Sequence, residues 1–291
     1  MPYHPARARE LSNSIGRIPF GFPTLDSRFD GLPAGTATLL VGAPDAGTDA
    51  YAFTHAAQLL LLKHAPRYTD RKINDAVRQR IPSSVHYVTL NHPPERVLDG
   101  MDAVLSARQF NILAEHLEIT DFSDDFFDLA PVPDPLRRAA HEKEAEDLPE
   151  EPATEASFER LLNRLAEHLE GVGDDTLIFV DSLTAFERGR HFGVEWGDVL
   201  GLLEGLRHAA SEWGGLVNVL YHARPEKVRS DETINTALDG CLYFYVNDRG
   251  TNARKTMRIG DFNGALSRRH QVVYETKVGD TGFGVSSSRN V

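Results

Sequence analysis

One stretch constrains this chain more than any other: Gly42-Ala43-Pro44-Asp45-Ala46-Gly47-Thr48-Asp49, set between two apolar runs. Its glycines have the spacing of the phosphate-binding pattern G-x-x-x-x-G-K-[ST]. In that pattern backbone N–H groups and a helix N-terminus surround the phosphates, the Lys supplies charge and the hydroxyl holds Mg²⁺. Such a loop needs a strand before it and a helix after it, and residues 37–42 and 49–64 read as those two elements. The chemistry departs from the pattern. Thr48 stands at the Lys position, Asp49 at the Ser/Thr position, and Asp45 adds a carboxylate inside the loop. Two unit charges about 4 Å apart interact by roughly 4 kcal/mol at an effective dielectric of about 20, so repulsion in place of attraction beside a triphosphate is a large penalty. Asp49 can ligate Mg²⁺, but it cannot replace the cation on the β- and γ-phosphates. Gly42, Gly47, Thr48 and Asp49 are therefore read as a vestigial nucleotide loop.

The rest of the chain alternates in the same manner. A second strand over 85–90 ends at Asn91-His92-Pro93-Pro94, where the prolines force a turn and open the next helix. A third short strand follows around 117–120. Residues 157–170 read as a helix with Phe158, Leu161, Leu162, Leu165 and Leu169 on one face. The apolar strand 176–181 ends in Asp181, and a helix over 195–213 and a strand over 216–221 continue the order. This pattern predicts an α/β fold with a mostly parallel sheet covered by helices on both faces. From Gly240 onward the chain becomes β-rich, with strands over 241–246, 255–259 and 271–276 separated by turns containing Gly and Asn. Between about Ser123 and Glu155 the sequence is acidic and proline-rich. That composition reads as a flexible surface insertion, with a docking tail for a basic partner as the alternative.

Composition narrows the function classes. A chain of 291 residues with 41% apolar content can form one large α/β domain or two small ones. Its net charge of −12 and sequence pI near 5.4 argue against broad attraction to nucleic acid or anionic membrane. Only Lys63, Lys72, Lys143, Lys227, Lys255 and Lys277 are lysines, an Arg-rich acidic balance that suits a salt-adapted cytoplasm and that codon bias also produces. Cys241 is the sole cysteine, which excludes an intrachain disulfide and a cysteine-based zinc site. The N-terminus has no apolar leader and no stretch is long enough to span a bilayer, so the expected location is cytoplasmic. Neither an H-E-x-x-H pair nor a G-x-S-x-G elbow is present.

Taken in order, the motifs resemble the KaiC-like branch of the RecA superfamily. Gly21-Phe22-Pro23-Thr24-Leu25-Asp26 and Gly31-Leu32-Pro33-Ala34-Gly35 lead into the first strand and the loop, as that family's "G-x-x-x-L-D" and "G-L-P-x-G" segments do. The segment 257–264, followed by 273–275 and 282–285, resembles the family's closing hairpin. The resemblance implies a RecA-like P-loop NTPase fold: an N-terminal tail over 1–14, then a single domain over 15–291 interrupted by the insertion at about 124–155. It implies that Asp181 holds the place of the Walker B carboxylate, which organises Mg²⁺ and water in active relatives; the alternative is an Asp capping the next turn. Family ATPases carry a catalytic glutamate after the strand matching 85–90, where this chain has Asn91-His92. Tyr221-His222 stands where relatives place a γ-phosphate sensor, and is read here as an ordinary strand-end pair. Arg254, Lys255, Arg258, Arg268 and Arg269 form a basic cluster in a region that reaches the neighbouring subunit's nucleotide in relatives; a solvated hairpin or a partner-binding face is the reading here. Relatives assemble as rings or filaments through nucleotide-containing interfaces.

The function expected from these residues is that of a catalytically inactive, regulatory or scaffolding protein with no catalytic residues of its own. Its partner would be another protein, an active paralogue or further copies of itself, with no membrane and no nucleic acid. The alternative is an ATP-binding protein or slow ATPase, with ATP and Mg²⁺ at Gly42, Gly47, Thr48, Asp49 and Asp181 and a cation borrowed from Lys255 or a neighbouring subunit. Metal is expected only at Asp181, and only with Mg-ATP. A recombinase-like DNA binder rests on the fold alone.

Overall fold

Strands buried on both faces read as continuous apolar runs, because successive side chains point to opposite layers that are both covered. In the computed structural model, which describes residues 16–69, 71–130, 133, 155–247, 254–262 and 272–290, the three strands at the sheet centre have this character. The short strands β1 (Arg17–Ile18) and β2 (Leu32–Pro33) pair antiparallel ahead of β3 (Thr36–Gly42). Then come β4 (Ser84–Thr89), β5 (Leu117–Asp121), β6 (Thr176–Asp181), β7 (Leu216–Tyr221) and β8 (Gly240–Asn247). The chain closes with β9 (Arg254–Phe262), β10 (Val272–Gly279) and β11 (Gly282–Asn290). Strands β3 to β11 form a nine-stranded sheet in the order β11-β10-β9-β8-β3-β7-β6-β4-β5. From β8 to β5 all neighbours are parallel, whereas β9, β10 and β11 are added antiparallel.

Eight helices matter for the site and its supports. On one face lie α2 (Thr48–His64), α4 (Pro94–Val104) and α5 (Ala107–Glu115), which pack Tyr51, Leu59, Met101 and Leu113 against Leu40, Tyr87, Phe179 and Leu220. The short α1 (Pro23–Phe29) and α3 (Asp75–Arg80) flank that side. On the other face α7 (Glu155–Val172), α8 (Leu183–Gly189) and α9 (Trp196–Trp213) cover Leu39, Val41, Ile178, Val180 and Val219. Adjacent residues of β3 and β6 thus feed opposite cores.

The acidic stretch differs from its expected form at its start. Ser123–Leu129 is a helix, α6, whose Phe126 and Leu129 are buried in the second core and whose Asp125 pairs with Arg164 of α7. Asp124 and Asp125 sit in its first turn, where negative charge complements the helix dipole. Most of the expected insertion lies outside the described residues, as do the tail at 1–14, Arg268 and Arg269.

Candidate functional site

In open parallel sheets, ligands bind beyond the carboxyl ends of the strands. The register here aligns Val41 with Tyr221, Leu220 with Asp181, and Asp181 with Thr89, so the ends of β3, β7, β6 and β4 converge. The loop at 42–49 leaves β3 at that edge. Asp45 (φ 65°) and Gly47 (φ 95°) take left-handed conformations, and Gly47 caps the start of α2. At Gly42 a Cβ would fall 2.1 Å from the Thr48 hydroxyl, so glycine is what lets the Thr48 side chain fold back against the strand end. Thr48 is 3% exposed, and its Oγ1 is buried without a hydrogen-bond partner.

The charged centre lies beside this loop. Tyr87, fully buried on β4, donates its hydroxyl to Asp181 Oδ2 at 2.7 Å. The other oxygen, Oδ1, is 3.2 Å from His222 Nε2, and the same Nε2 is 3.7 Å from Asp49 Oδ1. His222 is held from behind by its own backbone N–H, which donates to Thr184 Oγ1 at 2.9 Å. Burial alone would lower the His222 pKa, but the hydrogen bond to Asp181 and the charges of Asp49 and Asp181 outweigh it, and the net shift is upward. The Asp49 carboxyl, 55% exposed at its side chain, is also raised: loss of water on its His222 side lifts it most, His222 and His92 pull it down, and Asp181 pushes it up. Burial, then the Asp181 and Asp49 charges, drive the Tyr87 hydroxyl far above its ordinary range, so it remains a donor. The result is a Tyr–Asp–His–Asp chain in which the His222 ring lies between two acidic side chains.

Two further elements brace the loop. Thr89 Oγ1 donates to the His92 carbonyl at 2.8 Å and accepts the His92 N–H at 3.1 Å, which fixes the Asn91-His92 turn. Behind the loop, the β10–β11 hairpin lays Phe283 on α2. Its backbone N–H donates to Thr54 Oγ1 at 2.8 Å, and its ring contacts Phe22, Tyr51 and Phe244. A Cβ at Gly47 would approach that ring to 3.3 Å.

The structure therefore brings together Asp49 and Asp181, and it places Gly42, Gly47 and Thr48 in one strand-to-helix turn. It adds His222, read from the sequence as an ordinary strand-end residue, as the group between the two acids. Tyr87 had no sequence signal at all, because an apolar strand position does not reveal a hydroxyl aimed at a carboxylate. Arg254, Lys255 and Arg258 lie on β9, which β8 separates from β3. Among the described residues no group of three or more His, Cys, Asp or Glu side chains could hold a metal ion. Asp49 and Thr48 put a carboxylate and a buried hydroxyl where the phosphate-binding pattern has a hydroxyl and a cation.

No described protein family and no curated protein matches the sequence. Solved structures do match. The chain superposes on the crystal structure of a KaiC-like protein from the hyperthermophilic archaeon Pyrococcus horikoshii OT3, with a TM-score of 0.59 and 17% identity, over 94% of this chain and 100% of that one. The fold is KaiC-like. The architecture read from the motifs is thus borne out, as a RecA-type sheet with a C-terminal antiparallel extension. At 17% identity the likeness is one of fold, and the chemistry at the 42–49 loop rests on this chain's own side chains.

Proposed function

We propose that this chain is a KaiC-like RecA-fold protein that does not hydrolyse nucleotide and acts through protein contacts, as a regulatory or scaffolding module. The observation that carries this reading is the Asp49–His222–Asp181 contact: the residue at the position of the pattern's hydroxyl and the strand-end acid share one half-buried imidazole. Phosphoryl transfer depends on positioning and on cationic stabilisation of the transferred group. With Thr48 buried and two carboxylates at the loop, those contributions are missing together. Calorimetry and phosphate-release assays with Mg-ATP in high salt test the reading. No saturable heat at the loop and no turnover are expected. A clear ATPase rate that Asp181→Ala abolishes would overturn it, and would favour the alternative of a cation supplied by Lys255 or another subunit.

The partner is proposed to be a protein, an active paralogue or another copy of this chain. Cys241, buried and free, accords with a reducing cytoplasm. Because α6 packs on the core, the acidic stretch is tested as a docking element by removing 131–154 and leaving Ser123–Leu129 intact. A partner captured by the full chain but not by the shortened one locates the contact there. Equal capture by both places it elsewhere.

A further inference from the structure

A cavity of about 700 Å³ lies between α1, α3 and the segment joining α2 to α3, and it shares no lining residue with the loop at 42–49. Its volume falls within the roughly 300–1,000 Å³ of small-molecule sites. Arg17, Arg71, Lys72 and Arg80 bring cationic side chains to it, against the carboxylates of Asp26 and Asp30. In a chain with a net charge of −12, a local excess of cations is against the general field. We propose that this cavity binds a small phosphorylated molecule.

The charges are not equivalent. Asp26 is 8% exposed at its side chain; Oδ1 accepts the Phe20 N–H at 2.5 Å and Oδ2 pairs with Arg71 Nη1 at 2.7 Å. That acid and Arg71 neutralise each other and stiffen the wall. What remains exposed among the described lining residues is Lys72 and Arg80 against Asp30. Arg17 is anchored, because its Nη1 donates to the Gly31 carbonyl at 2.7 Å and to the Phe29 carbonyl at 3.3 Å. Arg80 crosses the backbone at Gly16, where a Cβ would lie 2.4 Å from its Cδ and 2.6 Å from its Nε, so the absent side chain of Gly16 makes room for the outer end of the arginine. Guanidinium groups match phosphate oxygens in bidentate pairs and hold charge at every physiological pH, which favours a phosphate ester over a monocarboxylate. Pro19, Pro23, Ile73 and Val77 line the same cavity and offer apolar surface to the organic part of such a ligand.

The test uses the full chain and inorganic pyrophosphate, with inorganic phosphate as the smaller probe, in calorimetry at physiological salt. Saturable binding is expected for pyrophosphate, weakened at least about tenfold, or about 1.4 kcal/mol, by the pair Lys72→Gln and Arg80→Gln. Both positions are exposed, and Lys72→Glu alone provides a second variant that reverses one charge without touching the core. Lys277→Gln, an exposed change on β10, removes the same unit of charge elsewhere and is expected to bind as the parent does. Absence of saturable binding, or equal binding by the Lys72 and Arg80 variants, overturns the proposal. In the second case the anion is held at another place.

Discussion

Thr48 and Asp49 act on the same loop in different ways. Thr48 takes up the space beside Gly42 with a buried hydroxyl that finds no partner, while Asp49 turns its charge toward His222. Changing both, Thr48→Lys with Asp49→Thr, restores the pattern's cation and hydroxyl in a turn that already has the required glycine geometry. The double variant is expected to show Mg-ATP-dependent thermal stabilisation that the parent lacks, about 2.7 kcal/mol at a ligand concentration one hundred times Kd. Identical melts with and without Mg-ATP would mean that the phosphate cradle itself has been lost. His222 gives a pH prediction whose sign is fixed by the upward shift from 6.5. The folded state holds this proton more tightly than the unfolded chain. The stability from the imidazolium is therefore complete below pH 6.5 and is lost as pH rises through the higher folded value. The stability difference between the parent and His222→Gln should accordingly be larger at pH 6 than at pH 8.5 in urea titrations. A difference that grows with pH would contradict the Asp49–His222–Asp181 contact.

Elements with one clear periodic signal were legible from the sequence, and contacts between them were not. Strands β3, β6 and β7 stand out because both faces are buried, and α9 was recognised to within a residue of its start. The start of the acidic stretch was misread because its carboxylates outnumber Phe126 and Leu129, yet those two side chains secure α6 to the core. Tyr87 and His222 meet Asp181 across strands 94 and 41 residues apart in sequence, and no local pattern encodes that register. Two predictions belong at this scale. Gly201 and Gly205 lie within α9, and a Cβ at either would meet nothing within 4 Å. An interior helical glycine costs about 1 kcal/mol relative to Ala, so each Gly→Ala change is expected to raise unfolding free energy by up to that amount. A loss of stability instead would contradict the open space at both positions. In the hairpin, Phe283 is 3% exposed and its ring joins the hairpin to α2 and the loop's back wall. Phe283→Ala is expected to destabilise by about 3 kcal/mol through the cavity it leaves. Denaturant melts measure both effects.

At the scale of the whole molecule, the proposed reading bears on how copies of a RecA-type sheet assemble when no nucleotide sits at the loop edge. The motif resemblance implies assembly through nucleotide-containing interfaces, and the proposed reading removes that ligand from the interface. The net charge of −12 adds repulsion between copies that the Debye length of about 10 Å at 0.1 M salt does not fully screen. Raising the salt to about 1 M shortens that length to about 3 Å and removes the electrostatic objection to assembly, leaving only shape and apolar contact to hold copies together. Light scattering across that salt range separates the two contributions. Without nucleotide, a mass near 32.3 kDa is expected at high as well as low salt, since neither contribution then favours a ring. Assembly that appears only when salt is added would mean that a complementary interface exists and that charge alone opposes it. A stable hexamer at every salt concentration would show that the ring stands without nucleotide, and the His222 imidazole between Asp49 and Asp181 would then be read as a substitute for the bound ligand's charge balance within an assembled ring.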